Sequence, residues 1–478
     1  MNLVAARARK FWTQEEAAAK LGVGVSSLQR WENGTAKPYK ANIQRLCTTY
    51  EATAAELGLD ADDKPEAVMT STHSATSQSV KVKEPRAFIG TDLTMQLLAL
   101  AFVPYRSYQD LQKEMVHLIY EHNSMNTNNQ NYHTSKNEAL SRLATLPIVT
   151  FNLDLSSGSP SPQVIAEILT QCAASIAACW ELSKSTEHSD LRLAFTCVSA
   201  YLPTLKAIVQ DAALHRKHAA SLVFQGLQLK ARMAYHMEGP KQAAGYAEQA
   251  VTYAEESGNL LMQIVALREL ASAYEWATDH RREQALHVTE KARYLIEHPS
   301  GLKVPFQVQS WVYSGLAKYQ ALNGKPQEVP ILLEKALETF SASSNSENES
   351  IPGFVNHTQA HLLRYKGMTY AYLGQQDKAL NLFAQAINLD DDHISARLSM
   401  PARTHVGIIS EATFASLKVP KVLKDKDLSI KLWKAGMEKT TALQSETYFS
   451  ESYLAYQIME CIWDDPDVRD LRDLIKHW

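Results

Sequence analysis

From Val164 to the carboxyl end, apolar residues recur at about the 3.6-residue helical period and strand-like alternation is absent. A chain patterned this way can bury its apolar stripes only by packing helix on helix, so the expected fold class is all-α. At 478 residues the chain exceeds what one core normally supports, so more than one domain is expected. A composition of 45% hydrophobic and 21% charged residues is that of an ordinary globular protein.

The periodic part also repeats itself. In HLLRYKGMTYAYLGQQDKALNLFAQAINLDD, the residues Leu363, Gly367, Tyr370, Gly374, Ala379, Phe383 and Ala386 fall at a spacing that resembles the tetratricopeptide repeat. Gly367 and Ala379 would let two helices approach, with Tyr370 and Phe383 filling the space between them. Weaker copies run through Leu227, Ala231, Ala234, Ala243, Ala247 and Ala250; through Leu267, Ala271, Tyr274, Ala285 and Ala292; and through Tyr313, Ala317, Gly324, Leu333 and Ala336. A degenerate copy is anchored by Ser429, Trp433 and Gly436. The last small residue recurs at 250, 292, 336, 386 and 436, giving periods of 42, 44, 50 and 50. These exceed the usual period of about 34, so the helices or loops must be longer. Helices at 164–183, 190–210 and 213–237 would begin this α-solenoid, and 445–463 and 467–478 would cap it.

The first 50 residues differ in charge. They carry eight Lys/Arg against three Glu, a net +5, which leaves −9 for the remainder. A small basic module joined to an acidic body points to nucleic-acid binding at one end. Within this module lies TQEEAAAKLGVGVSSLQRWENG, residues 13–34. Thr13 and Glu16 form a capping-box pattern, Ala17, Ala18 and Leu21 give a short apolar face, and Gly22 stops the helix. A second helix from about Val25 to Asn33 would bury Leu28 and Trp31 and end at Gly34. With helices before (2–10) and after (38–50, 52–57), the segment Asn2 to Leu59 resembles the phage-repressor, or XRE/Cro-type, five-helix helix-turn-helix domain.

That resemblance implies residue roles. Gln14 would hold a DNA phosphate, while Val25, Ser26, Gln29 and Arg30 would face base edges in the major groove. Lys37, Tyr39 and Lys40 would contact backbone phosphates. Arg7 and Glu32 would form a structural pair rather than touch DNA. Gly24 and Val25 stand where polar residues are more usual, which leaves Arg30 as the strongest base reader.

Residues 60–85 are polar, rich in Ser and Thr, and poor in large apolar groups, which places a linker at 60–87. A helical connecting region with the Asn-rich loop HNSMNTNNQNYHTSKN (122–137) then spans 88–160, and the repeat domain covers 161–478. LDLSSGSPSP (153–162) reads as a break.

A repressor-like module ahead of a tetratricopeptide-like coil resembles the RRNPP class of bacterial peptide-responsive regulators. The resemblance implies a homodimer on a pseudo-palindromic duplex DNA operator, with a short peptide, or alternatively a protein partner, in the groove of the coil. First helices of each pair would line that groove, placing Gln228, Arg232, Arg268, Glu275, Lys318 and Arg364 there; arginines among them could hold a peptide's terminal carboxylate. An adaptor that uses the coil to bind another protein, or a helical interaction protein without DNA binding, are the competing readings.

Motifs for phosphate loops, nucleophile elbows and zinc sites are missing from the sequence; HRKH (215–218) is a lone histidine pair on a basic helix, which reads as a solvated face rather than a metal site. No enzyme activity, cofactor or metal is expected. Five cysteines, an odd number without a CxxC pair, suit reduced thiols. The start MNLVAARARKFW lacks a signal-peptide core, and the apolar run Met95 to Val103 is too short to span a bilayer, so a cytoplasmic protein with no membrane partner is expected.

Overall fold

The computed structural model describes residues 3, 6, 7, 14–21, 23, 25–33, 38, 40–50, 57 and 59, then 97, 100, 114, 115, 117–119 and 131–151, and, continuously but for short loops, 161–277, 281–298, 303–344, 355, 357–420 and 424–476. It divides into two compact units, Met1–Arg86 and Ala87–Trp478. Among the described residues there is no strand; one isolated bridge pairs Ile387 with Ala396.

In the first unit, three helices are described: α1 (Gln14–Leu21), α2 (Val25–Glu32) and α3 (Lys40–Tyr50). Leu3, Ala6, Ala17, Ala18, Leu21, Leu28, Leu46, Tyr50 and Leu57 form one core, with Val23 and Trp31 packed on its edge. Ala17 and Ala18 are what let α1 and α2 approach; the turn between them is fixed where Val23 N–H donates to Ala18 O at 3.0 Å. The Thr13 capping box and most of the expected helices at 2–10 and 52–57 lie outside the described residues.

The second unit is a run of antiparallel helices: α4 (Asn131–Phe151), α5 (Pro162–Leu182), α6 (His188–Asp211), α7 (Arg216–Met237), α8 (Pro240–Ser257), α9 (Leu260–Trp276), α10 (Arg282–Glu297), α11 (Phe306–Leu322), α12 (Val329–Ser344), α13 (Gln359–Tyr372), α14 (Gln376–Ala386), α15 (Ala402–Lys418), α16 (Lys426–Leu443), α17 (Glu446–Ile462), α18 (Pro466–Arg469) and α19 (Leu471–Ile475). Each helix packs on the next, giving pairs α7/α8, α9/α10, α11/α12, α13/α14 and α15/α16.

The two members of a pair read differently. α9 buries residues around most of its circumference, from Leu261 through Ile264, Val265 and Arg268 to Ala273, as an inner helix must. α8 buries a single stripe of Ala243, Ala244, Ala247, Ala250 and Ala254 and leaves its charged side to solvent. The recurring small residues Ala250, Ala292, Ala336 and Ala386 are all buried on second members of pairs. Between α14 and α15 the chain detours through the Ile387–Ala396 bridge, which accounts for the period of 50 there. Gly367 sits against Phe383 so closely that a Cβ would come within 2.4 Å of the ring.

One expectation needs correction. The Asn-rich loop does not extend to 137: α4 begins at Asn131 and carries Pro147 inside it. Within 88–160, the described residues Leu97, Leu100, Met115, Ile119, Ala139 and Leu143 share the core of the helical body. A helix at 402–418, unread in the sequence, begins the α15/α16 pair. α5 and α6 have the length and apolar content of a bilayer span, yet 72% of the apolar window of α5 and 50% of that of α6 are buried by their neighbours.

Candidate functional site

In the first unit α2 presents the candidate DNA-reading surface. Gln29 and Arg30 are exposed on it, while Leu28 on the opposite side is fully buried and Trp31 is half-buried. Beneath that surface lies a hydrogen-bond relay. Arg7 Nε donates to Glu32 Oε1 at 2.6 Å and Arg7 Nη2 to Glu32 Oε2 at 3.1 Å. Gln14 Nε2 donates to the same Glu32 Oε2 at 2.8 Å, and Gln29 Nε2 donates to Gln14 Oε1 at 3.1 Å. The Glu32 side chain is 1% exposed, so a paired guanidinium is what makes its burial tolerable. Gln14 thus spends both ends of its amide on neighbours and holds Gln29 in place. Val25, Ser26 and Lys40 lie on helices, with their side chains outside the described set; Lys37 and Tyr39 lie outside it altogether.

In the second unit the candidate site is a partly open cavity. The run of helices returns upon itself, because residues 209 to 220 positions apart are joined by hydrogen bonds. The Tyr235 hydroxyl donates to Glu451 Oε1 at 3.3 Å, and His236 Nδ1 and Ser445 Oγ lie 2.9 Å apart. The Thr447 hydroxyl donates to Tyr235 O. Arg403 Nη1 donates to Ser183 O at 2.8 Å and to Ser185 O at 3.0 Å, satisfying carbonyls at the end of α5.

The space is about 210 Å³, partly open to solvent and walled by aromatic rings and arginines contributed by α5, α7, α9, α11, α13, α15 and α17. The rings of Tyr235 and Trp276 lie with centroids 4.0 Å apart, tilted by 32°, and those of His236 and Tyr448 lie 5.3 Å apart. Arg232 pairs with Glu269 through Nε at 3.2 Å and through Nη2. Arg364 gives Nε at 2.9 Å and Nη2 at 2.6 Å to Glu411 Oε1. Burial, reinforced by Arg403, pushes the His236 pKa down to about 3. Burial, reinforced by Arg364 and Arg232, does the same to His361. Both imidazoles are therefore neutral. Burial also lowers the pKa of Arg403, opposed only by the Tyr448 hydroxyl.

The six groove residues expected from sequence are not alike. Arg232 and Arg364 do line the cavity, each with a carboxylate partner. Arg268, Lys318 and Gln228 do not face an open groove, being 0%, 2% and 2% exposed. Arg268 is caged by Trp311, Tyr319 and Tyr365, and its Nη1 donates to Ser272 Oγ at 2.9 Å. Lys318 Nζ donates to Glu275, which also accepts from the hydroxyls of Tyr372 at 3.2 Å and Tyr319 at 3.3 Å. Burial opposes the Lys318 charge, but Glu275 and the nearby tyrosines more than offset it and hold its pKa above the ordinary value. The physical reason is closure: an inner helix in a coil that returns on itself faces other helices rather than solvent. Arg403, Trp276 and Tyr448 were not singled out from sequence, because they become neighbours only through that closure.

A family model described as "Helix-turn-helix" matches residues 3–57. Among curated proteins none matches the chain. The relay under α2, the turn at Val23 and this match agree that residues 3–57 form a helix-turn-helix domain.

Proposed function

We propose that the chain is a sequence-specific DNA-binding transcription regulator of the cytoplasm, whose helical body receives a ligand and joins two copies on a pseudo-palindromic operator. The observation that carries this reading is the relay Arg7–Glu32–Gln14–Gln29: a buried carboxylate fixes the orientation of α2 and leaves Gln29 and Arg30 exposed on it. The local charge of +5 suits a polyanionic partner. Arg30 is the base reader, Lys37, Tyr39 and Lys40 are phosphate contacts, and Gln14 positions Gln29 as well as lying near the backbone.

The cavity supports the sensing half of the proposal, since it gathers aromatic rings and cations where distant parts of the chain meet. Paired helices with recurrent small residues suit a tetratricopeptide-like coil, and a short peptide is the ligand that likeness brings with it. The protein acts by binding, not by catalysis. Selection of bound duplexes from a random-sequence pool tests the reading. The full chain should enrich one motif with two-fold symmetry and Arg30→Ala should lose it; a pool that stays random under the full chain overturns the proposal.

A further inference from the structure

The cavity contains one arginine that is treated differently from its neighbours. Arg232 and Arg364 each turn the edge made by Nε and Nη2 toward a carboxylate. Lys184, on the same wall, pairs with Glu181 at 2.6 Å. Arg403 uses only Nη1, on the two carbonyls at the end of α5. Its Nε and Nη2 are buried and have no hydrogen-bond partner among the described residues, nor does any carboxylate there pair with it. That edge is the two-donor fork that matches a carboxylate, and burying two guanidinium donors without a protein acceptor is costly.

The surroundings narrow what could supply the acceptor. The rings of Trp276, Tyr235, His236 and Tyr448 run in contact from one to the next, and the Tyr448 hydroxyl donates to Arg403 O at 2.8 Å. A flat apolar body would lie against these rings. Glu269 shares the wall, so a dianion such as a phosphate monoester would meet a like charge. The space of about 210 Å³ is below the roughly 300–1,000 Å³ typical of drug-sized ligands, which favours a small molecule over several residues of extended peptide.

The geometry points to a small aromatic monocarboxylate as the ligand of this cavity, its carboxylate seated on Nε and Nη2 of Arg403 and its ring on the Trp276–Tyr235–Tyr448 wall. This rests on the reading of the cavity as the sensing site and names the ligand class. Because Arg403 also ties the start of α15 to the end of α5, the acid would fasten the seam where the coil closes. Binding would then stabilise α15 and α17 against opening.

Calorimetric titration of the full chain with benzoate, phenylacetate and indole-3-acetate, each against its neutral amide, tests this. At least one acid should bind, its amide should be weaker by roughly tenfold or more, and Arg403→Gln should bring the acid to the level of the amide. Arg403→Lys, which keeps the charge but not the fork, should retain part of the acid–amide difference, and a circular dichroism spectrum and urea midpoint of Arg403→Gln close to those of the wild type separate lost recognition from a folding defect. Wild-type protein that binds acid and amide equally, or binds none of the acids, overturns the inference. So does a Trp-terminated tripeptide that binds more tightly than every small acid. Duplex binding measured on the same preparation separates the two ideas: intact DNA recognition without an acid site removes the ligand assignment alone.

Discussion

Arg268 lies over Gly315: a Cβ on Gly315 would come within 2.3 Å of Arg268 Nε and 2.7 Å of Nη2. Gly407 stands in the same relation to Arg364, at 2.8 Å from Nη2. In both cases a glycine on the next inner helix makes room for a buried guanidinium.

Gly315→Ala should therefore destabilise the body by about 1–3 kcal/mol, since Arg268 is caged and cannot retreat. Gly245, on exposed α8, has nothing within 4 Å of its built Cβ. Gly245→Ala should be neutral or stabilising by up to about 1 kcal/mol, through helix propensity alone. Urea unfolding of both variants checks the contrast, and equal midpoints would contradict the packing argument.

Arg7→Ala leaves Glu32 buried with Gln14 as its remaining described partner. The loss should be roughly 3 kcal/mol, a large share of the stability of a domain this small. Hydrogen exchange should rise across α1 and α2 while α7 and α9 stay protected. Arg7→Lys, which keeps charge but not the fork, should fall between the two.

Acidification should weaken the body. His236 and His361 have pKa values lowered to about 3 from an ordinary 6.5, so the unfolded chain binds protons that the folded one refuses. Stability is full above pH 6.5 and declines as pH falls toward 3, by about 1.4 kcal/mol per pH unit for each imidazole. Denaturant midpoints at pH 7.5, 6 and 5 should descend, and His361→Gln should flatten the slope.

The helix-turn-helix was legible because its signals are local: a basic stretch, a glycine-flanked turn and apolar residues at fixed offsets all lie within some twenty residues. Helix pairing was legible for the same reason, through Gly367 against Phe383 and the buried alanines that recur on second helices. What sequence could not convey was closure. Arg268 and Lys318 carry the polar character of groove residues, yet Trp311, Tyr365 and Glu275 enclose them from other helices. Arg403 touches Ser183 across 220 positions, a distance over which no periodicity carries information. Helix α15 escaped notice because its apolar residues follow a loop that breaks the repeat.

The central claim is that α2 reads DNA sequence through Arg30. Equilibrium binding of the full chain to the duplex upstream of its own coding region, and to a scrambled duplex of equal length, measures this at fixed moderate salt. Wild-type protein should prefer the first duplex, and Arg30→Ala should lose about 1–3 kcal/mol of that preference while retaining non-specific affinity. Equal affinity for both duplexes, or no binding even at low salt, would contradict the account.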